Sequence, residues 1–412
     1  MLTRRVVLGT AGAGLALAGA GWPKFSTSQA AGAPVTPGVP SGAAEAATME
    51  ALPGKKPLIR LTYRPPNYET PLEYFRNPIT PNDAFFVRYH LAGIPEPNDP
   101  SIDAKTWKLT VGGEGANGNV ELSLDDIQAM PASEITAVCQ CSGNRRGLFD
   151  PHVPGVQWGY GAMGCAAWKG ARLKDVLAKV GLKKEAIEIV MNGADGPVFD
   201  KTPDFIKSIP VDIATADTTL IAYEMNGAPL PHLNGYPARV IIPGWTGTYW
   251  VKHIVSIEAV TKPYDGFWMK SAYRFPNGKF PVVAHFPTQE TAANTPITEM
   301  VVNSLITSME DGAKVKAGKI TVSGIAWDAG YGIASVKVST DGRKSWAEAT
   351  LGTDLGSFAF RTWSYPFDAK PGANTITVRA SNEIGQTQTT ALIPNPAGYH
   401  HNVMQSLTFT AS

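Results

Sequence analysis

The C-terminal part of the sequence constrains the fold most, because it repeats one short pattern. From about Thr298, segments such as KITVSGIAW, IASVKVSTDG and NTITVRASNEIG alternate apolar and polar residues and are separated by turns. This alternation is typical of half-buried strands, and Asp341-Gly342 is a hairpin signal. Short strands at regular spacing predict an immunoglobulin-like β-sandwich over residues 291–412.

The preceding region mixes two kinds of pattern. TWKLTVGG, AIEIVMNG, TTLIAYEMNG and KHIVSIEAV have the composition of strands. Ser123 and Asp126 have the spacing of a helix-opening capping box. In ARLKDVLAKVGL, apolar residues recur on one helical face until Gly181. We therefore expect an α+β domain over residues 58–290, and 412 residues are too many for a single core.

The N-terminus carries the pattern of an export signal. Arg4 and Arg5 precede a weakly hydrophobic, Ala/Gly-rich run, which predicts a twin-arginine signal peptide over residues 1–30 and a periplasmic mature protein. A membrane anchor is the alternative, although the run is short and rich in glycine. Residues 31–57 are rich in Ala, Gly, Pro and Ser and are predicted to form a linker. With 36 basic and 35 acidic residues, the composition indicates no general affinity for nucleic acid or anionic membranes.

Two of the three cysteines lie in the segment AVCQCSGNRRG. Cys139 and Cys141 are followed by two arginines, and cations favour a thiolate. The sequence contains no Cys-x-x-Cys pair, no His-Glu-x-x-His and no Cys-x-x-Cys-His, so zinc and c-type haem are poor candidates. Two interpretations stay open from these residues alone: a metal that needs one protein thiolate, or a buried inert thiol.

Several longer segments together resemble a known enzyme family. LSLDDIQAMPASEITAVCQCSGNRRG, GVQWGYGAMGCAAWKGARLKDVL and the later AYEMNGAPLP, GYPARVIIPG and VKHI resemble the sulfite oxidase family of molybdenum enzymes in sequence and order, from about Thr62 to Ala411. The resemblance implies a pyranopterin dithiolene (molybdopterin) that carries molybdenum, and a C-terminal domain that forms a homodimer. No haem domain is attached, as in bacterial periplasmic sulfite dehydrogenases, whose electrons leave through a separate c-type cytochrome.

The resemblance also implies roles for individual residues. Cys141 would ligate molybdenum, whereas Cys139 and Cys165 would be packing residues and Arg145 would serve the fold more than the site. The implied substrate pocket contains Arg88, Arg146, Trp158, Tyr273 and Arg361, and guanidinium groups are well suited to hold an oxyanion. The implied cofactor contacts are Phe86, Arg88, Tyr89, His90, Asp195, Asn234, Arg239 and Lys252. Vertebrate enzymes have histidine in place of Asn234, so His232 is an alternative contact.

The implied activity is oxidation of sulfite to sulfate, with electrons passed singly to an external acceptor. A periplasmic molybdenum enzyme that reduces sulfoxides such as oxidised methionine is one alternative. Such enzymes resemble the central domain but lack the β-sandwich. A binding or adhesion protein that contains no metal is the other alternative.

Overall fold

The computed structural model describes residues 48–280 and 293–412. The predicted signal peptide, most of the predicted linker and the predicted domain boundary at residue 290 lie outside the described residues. Within these two ranges, no helix is long and apolar enough to cross a membrane.

Strands dominate the described residues up to 280. The strands are β1 (Thr48–Ala51), β2 (Pro57–Thr62), β3 (Asn67–Glu69), β4 (Val87–Arg88), β5 (Lys108–Gly112), β6 (Val120–Ser123), β7 (Ala132–Gln140), β8 (Met163–Arg172), β9 (Glu188–Gly193), β10 (Lys207–Pro210), β11 (Leu220–Met225), β12 (Ala228–Pro229), β13 (Arg239–Ile241), β14 (Ile254–Val260) and β15 (Arg274–Pro276). They form three main sheets with the orders β1-β2-β3-β4, β10-β9-β14-β5-β6 and β12-β11-β8-β7, and β13 also pairs with β11.

The helices between these strands are short. They are α1 (Leu124–Gln128), α2 (Leu173–Leu177), α3 (Val211–Ala214) and α4 (Phe267–Lys270), with 3-10 turns at Leu72–Arg76, Arg146–Leu148, His232–Asn234 and Gly247–Tyr249. The predicted capping box is confirmed, since the Ser123 hydroxyl accepts from the Asp126 amide and the Asp126 carboxylate accepts from the Ser123 amide. The expected α+β class is corrected to mostly β, because each helix is a turn of four or five residues that connects strands.

The predicted linker 31–57 ends too late in the sequence. β1 pairs antiparallel with β2, with Met49 opposite Ile59. Leu52 packs against an apolar cluster that includes Leu58 and Tyr68, and Lys55 is buried. The chain is therefore part of the fold from Thr48 onward. The composition was misleading because residues that pack into the fold begin before the end of the predicted linker.

The second domain contains two sheets that enclose one core. Its strands are β16 (Asn294–Pro296), β17 (Asn303–Ile306), β18 (Ala313–Val315), β19 (Gly318–Trp327), β20 (Ile333–Ser339), β21 (Ala347–Glu348), β22 (Thr350–Leu351), β23 (Arg361–Ala369), β24 (Gly372–Asn382) and β25 (Gln405–Ala411). The orders are β17-β19-β23-β22 and β18-β25-β24-β20-β21, and β16 pairs with β15. Val322 and Trp363 from one sheet and Val378 from the other belong to the same buried cluster. The predicted hairpin after β20 is confirmed, since β20 pairs antiparallel with β21 across the loop that contains Asp341.

The loop after β7 is held between the two domains by Arg145. This residue is 1% exposed and has a left-handed φ of 68°. Its Nη1 donates to Asn303 Oδ1 at 2.6 Å and its Nη2 to the Ser304 carbonyl at 2.9 Å. The guanidinium carbon also lies 5.5 Å from the centre of the Trp327 ring. Arg145 therefore fixes the cysteine-containing loop against the second domain, as the sequence analysis expected.

Candidate functional site

A cavity lies where loops from distant parts of the first domain meet. Ten predicted site residues line it: Phe86, Arg88, Tyr89, His90, Cys141, Asp195, Asn234, Arg239, Lys252 and Tyr273. They come from segments separated by almost two hundred positions in the sequence. The structure therefore brings together the molybdenum ligand and all cofactor contacts that the resemblance implied.

Cys141 directly follows β7 and begins a tight turn. Its amide donates to the Ala162 carbonyl at 2.9 Å, and its carbonyl accepts from the Asn144 amide at 2.9 Å. Ser142 donates to the Thr246 hydroxyl at 2.9 Å. These bonds fix the backbone on both sides of the thiol, which is 7% exposed on the cavity wall.

The other two cysteines are unreactive thiols. Burial raises the pKa of Cys139 to about 11 and that of Cys165 to about 12, so both remain protonated thiols at neutral pH. No cysteine of the described residues forms a disulfide. Cys139 was expected to be a packing residue on the incoming strand, but the structure also places it on the cavity wall, beside Arg239 and Gly247.

Two basic side chains, Arg239 and Lys252, lie on the cavity wall. Arg239 is 4% exposed and donates to the carbonyls of Asn234 and Trp250, both at 2.9 Å. Lys252 donates to the Arg88 carbonyl at 2.8 Å, and burial lowers its pKa well below the usual value. Among the described residues that line the cavity, Asp195 is the one carboxylate, and burial raises its pKa. Because buried charge needs a partner, this wall favours an anionic ligand.

Asn234 connects the cavity to the N-terminal strands. Its Nδ2 donates to the Phe86 carbonyl at 3.1 Å, and its Oδ1 accepts from Lys55 Nζ at 2.5 Å. The alternative contact, His232, does not line the cavity, although its ring centre lies 5.6 Å from that of His253. Lys55 was missed by sequence reasoning, because nothing in GKKP distinguishes it from the exposed Lys56.

Three other polar side chains meet on the cavity wall. The Tyr273 hydroxyl hydrogen-bonds His90 Nε2 and lies 3.4 Å from Arg88 Nη2. Burial lowers the pKa of His90 well below its usual value, and Arg88 and Lys252 act in the same direction, so the imidazole is neutral at pH 7. Burial raises the pKa of Tyr273, so its hydroxyl keeps its proton. Burial opposes the charge of Arg88, but Tyr273 and Cys141 raise its pKa, so the guanidinium stays charged.

Arg146 lies beside this wall rather than on it. It is 8% exposed, and its Nε donates to the Ala397 carbonyl at 2.9 Å. Its guanidinium carbon lies 5.3 Å from the centre of the Tyr399 ring. The positive charge of Arg146 acts on the Tyr273 hydroxyl. Arg146 is therefore adjacent to the site but does not line the cavity.

Trp158 is fully buried in the core that also contains Cys141. Its Nε1 has no hydrogen-bond partner, and the indole does not line the cavity. The loop that follows it is held by Glu69, whose carboxylate accepts from the Gly159 and Gly161 amides. Burial raises the pKa of Glu69 to about 7.

Arg361 is not brought to this cavity. It begins β23 opposite Ala326, and its Nη1 lies 3.0 Å from Asp354 Oδ2. It lines a separate cavity of the second domain together with Tyr331 and Glu383. The implied role of Arg361 in the substrate pocket is therefore corrected, because the strand register directs its side chain toward the loop of Asp354.

The second domain instead reaches the site through Tyr399. Sequence reasoning missed this residue, although PAGYHH combines a turn with aromatic and imidazole side chains.

Comparison with known proteins agrees with this geometry. Residues 96–268 match the family model of the oxidoreductase molybdopterin binding domain, and residues 294–408 match that of the Mo-co oxidoreductase dimerisation domain. Sulfite oxidase from Arabidopsis thaliana is 34% identical over 292 residues, which cover 68% of this chain and 71% of that protein. The chain belongs to the sulfite oxidase family.

Other members of the sulfite oxidase family show how far the likeness extends. Sulfite oxidase from Gallus gallus is 32% identical over 78% of this chain and 70% of that protein. Mitochondrial sulfite oxidase from Rattus norvegicus is 35% identical over 76% of this chain, and the match spans only 57% of the rat protein. The sulfane dehydrogenase SoxCD from Paracoccus pantotrophus shares the fold, with a TM-score of 0.71 and 24% identity over 85% of this chain and 88% of that chain.

Proposed function

We propose that this protein oxidises sulfite to sulfate at molybdenum bound to molybdopterin, and that it passes the electrons singly to an external c-type cytochrome. One observation carries the proposal: the buried thiol of Cys141 faces a cavity lined by Arg88, Arg239 and Lys252. The overall reaction is balanced when sulfite and water give sulfate, two protons and two electrons.

The residues present fit the cofactor. Cys141 would supply a thiolate sulfur to molybdenum, since the thiolate is the form of cysteine that binds metals. Arg239 and Lys252 are basic side chains suited to a phosphate group, and Thr248 Oγ1, which also lines the cavity, has no hydrogen-bond partner. When bound, the cofactor supplies a metal that accepts two electrons and exchanges an oxygen atom.

The chain itself positions the anion. Arg88 keeps its charge and has an unpartnered Nε, so it can bind the oxygens of sulfite. Tyr273 retains its proton and can donate a hydrogen bond, while neutral His90 holds that hydroxyl in place. His90 is fixed by the Phe205 ring, with the ring centres 3.7 Å apart. The protein thus contributes mainly orientation and charge stabilisation.

We also propose a cellular location, an oligomeric state and a route for the electrons. Arg4, Arg5 and the run after them support export by the twin-arginine pathway to the periplasm. The two-sheet domain is proposed to be immunoglobulin-like, and its match to a dimerisation domain supports a homodimer. We propose that no haem is bound to this chain, so that electrons leave through a separate protein.

A steady-state assay tests the function. The purified protein with its cofactor is expected to reduce ferricyanide and a c-type cytochrome only when sulfite is added. No sulfite-dependent reduction would refute the proposal. Reduction of methionine sulfoxide by a reduced dye, without sulfite oxidation, would favour the sulfoxide reductase instead. A preparation from molybdenum-replete cells that contains no molybdenum would point to a binding protein.

A further inference from the structure

A turn of the second domain packs against two residues of the proposed site. Ala397 accepts the hydrogen bond from Arg146 Nε, and the Tyr399 ring stacks on the Tyr273 ring, with centres 5.8 Å apart and an angle of 11° between the planes. Tyr399 is 7% exposed and belongs to the same buried cluster as Tyr273. The second domain therefore contacts the part of the site that contains Tyr273 and Arg146.

The turn is shaped for this contact. The Asn395 side chain accepts from the Tyr399 amide at 3.0 Å and donates to the Tyr399 carbonyl at 2.8 Å. Gly398 has a φ of +63°, and a Cβ at this position would lie 2.7 Å from Arg146 Cγ. Only glycine allows the turn to approach Arg146 this closely.

Tyr273 needs such support. Its φ is 58°, a left-handed conformation that a bulky residue keeps only when its surroundings hold it there. The stacked ring of Tyr399 provides one side of this packing. The same ring lies 5.3 Å from the Arg146 guanidinium carbon, a distance at which a cation and an aromatic face attract each other.

We propose that Tyr399 is a positioning residue for sulfite oxidation, which makes the second domain part of the active site. It holds the Tyr273 hydroxyl and the Arg146 guanidinium at once, so that both are in place when the oxyanion enters. This inference rests on the proposed function, because it concerns the binding of the same substrate.

Three variants test the proposal in the cofactor-loaded protein. Y399L removes the aromatic ring and is expected to lower kcat/KM for sulfite between about 10- and 100-fold, since small displacements of positioning groups have effects of that size. It should also weaken sulfate binding, measured by calorimetry without turnover. Y399F keeps the ring and should stay within about threefold of the wild type. Y365L is the matched control, because Tyr365 stacks on Phe367 in β23 rather than on a residue of the site.

A double-mutant cycle separates positioning from general stability. If Tyr399 acts through the Tyr273 hydroxyl, Y399L should cost much less in the Y273F background than in the wild type. Wild-type activity of Y399L with unchanged sulfate affinity would overturn the inference, as would equal losses in Y399L and Y365L or full additivity with Y273F. A wild-type protein that does not oxidise sulfite would instead refute the proposed function.

Discussion

Replacing Lys55 by methionine tests whether the N-terminal strands support the site. Lys55 Nζ lies within hydrogen-bond distance of three acceptors, at 2.6 Å from the Asn82 carbonyl, 3.2 Å from the Phe85 carbonyl and 2.5 Å from Asn234 Oδ1. Methionine has similar length but leaves these acceptors without their donor. The neutral amine has two hydrogens, so it can donate to two of these acceptors at once. At about 1 kcal/mol for each unmade bond, we expect K55M to lower the free energy of unfolding by about 2 kcal/mol at pH 9.5.

The pH dependence gives the sharper expectation. Burial lowers the pKa of Lys55 to about 7. Between pH 7 and the usual value near 10.5, the unfolded chain binds a proton that the folded chain does not, so stability is lost as the pH falls through this window. The loss is about 1.4 kcal/mol per pH unit, so lowering the pH from 9.5 to 7.5 should remove about 2.5 kcal/mol from the wild type. K55M lacks this contribution. The other titrating groups are shared by both proteins, so they do not affect the difference between the two in how the free energy of unfolding changes with pH.

Denaturant unfolding followed by tryptophan fluorescence at pH 7.5, 8.5 and 9.5 measures this difference. The matched control is K56M, because Lys56 is exposed and lies 3.3 Å from Asp83 on the surface. K56M should follow the wild type at every pH, whereas the gap between the wild type and K55M should narrow as the pH falls. Equal slopes for the wild type and K55M would refute the reasoning that burial lowers the pKa of Lys55.

Three other substitutions give further expectations. C141S should abolish sulfite oxidation, because a hydroxyl is a harder and less acidic ligand than a thiol; full activity in the ferricyanide assay would show that the ligand is misassigned. R361M should leave the sulfite KM unchanged, because Arg361 contacts Asp354 rather than the cavity; a raised KM would show that it reaches the site. Burial lowers the pKa of His401 to about 3, so the unfolded state binds more protons between pH 3 and 6.5 and stability falls as the pH drops. H401L should therefore lose about 2 kcal/mol less than the wild type between pH 7 and pH 5 in denaturant titrations, and equal losses would contradict the assignment.

Most residues that line the cavity with Cys141 could be predicted from sequence. Arg239 and Lys252 lie in short motifs whose order matches the family, and the structure places both on the wall of the cavity that Cys141 also lines. A motif of this kind identifies a residue and also the strand end at which that residue lies. The strands themselves were predictable from alternating patterns, as in β5 and β19.

The contacts between domains could not be predicted in the same way. Arg361 lies between aromatic residues in the sequence, but the direction of its side chain depends on the register of β23 with β19. Tyr399 reaches Tyr273 only because Gly398 and Asn395 shape a turn against the first domain. Lys55 follows a run of linker composition and becomes buried only through the pairing of β1 with β2. Each of these depends on tertiary packing, which leaves no periodic signal in the sequence.

The helix content was overestimated for a related reason. ARLKDVLAKVGL has the apolar spacing of a helix, yet α2 ends at Leu177. Segments of this length are marginal as helices without extensive packing. Here they serve as single turns between strands, which is why the domain is mostly β.

X-ray absorption at the molybdenum edge tests the central claim most directly, because it counts the sulfur atoms bound to the metal. The protein is expected to show one more sulfur ligand than the dithiolene of molybdopterin provides, and C141S should lose that one sulfur while C139S and C165S keep it. An unchanged sulfur count in C141S, or loss of the extra sulfur in C139S, would contradict the assignment of Cys141 as the protein ligand.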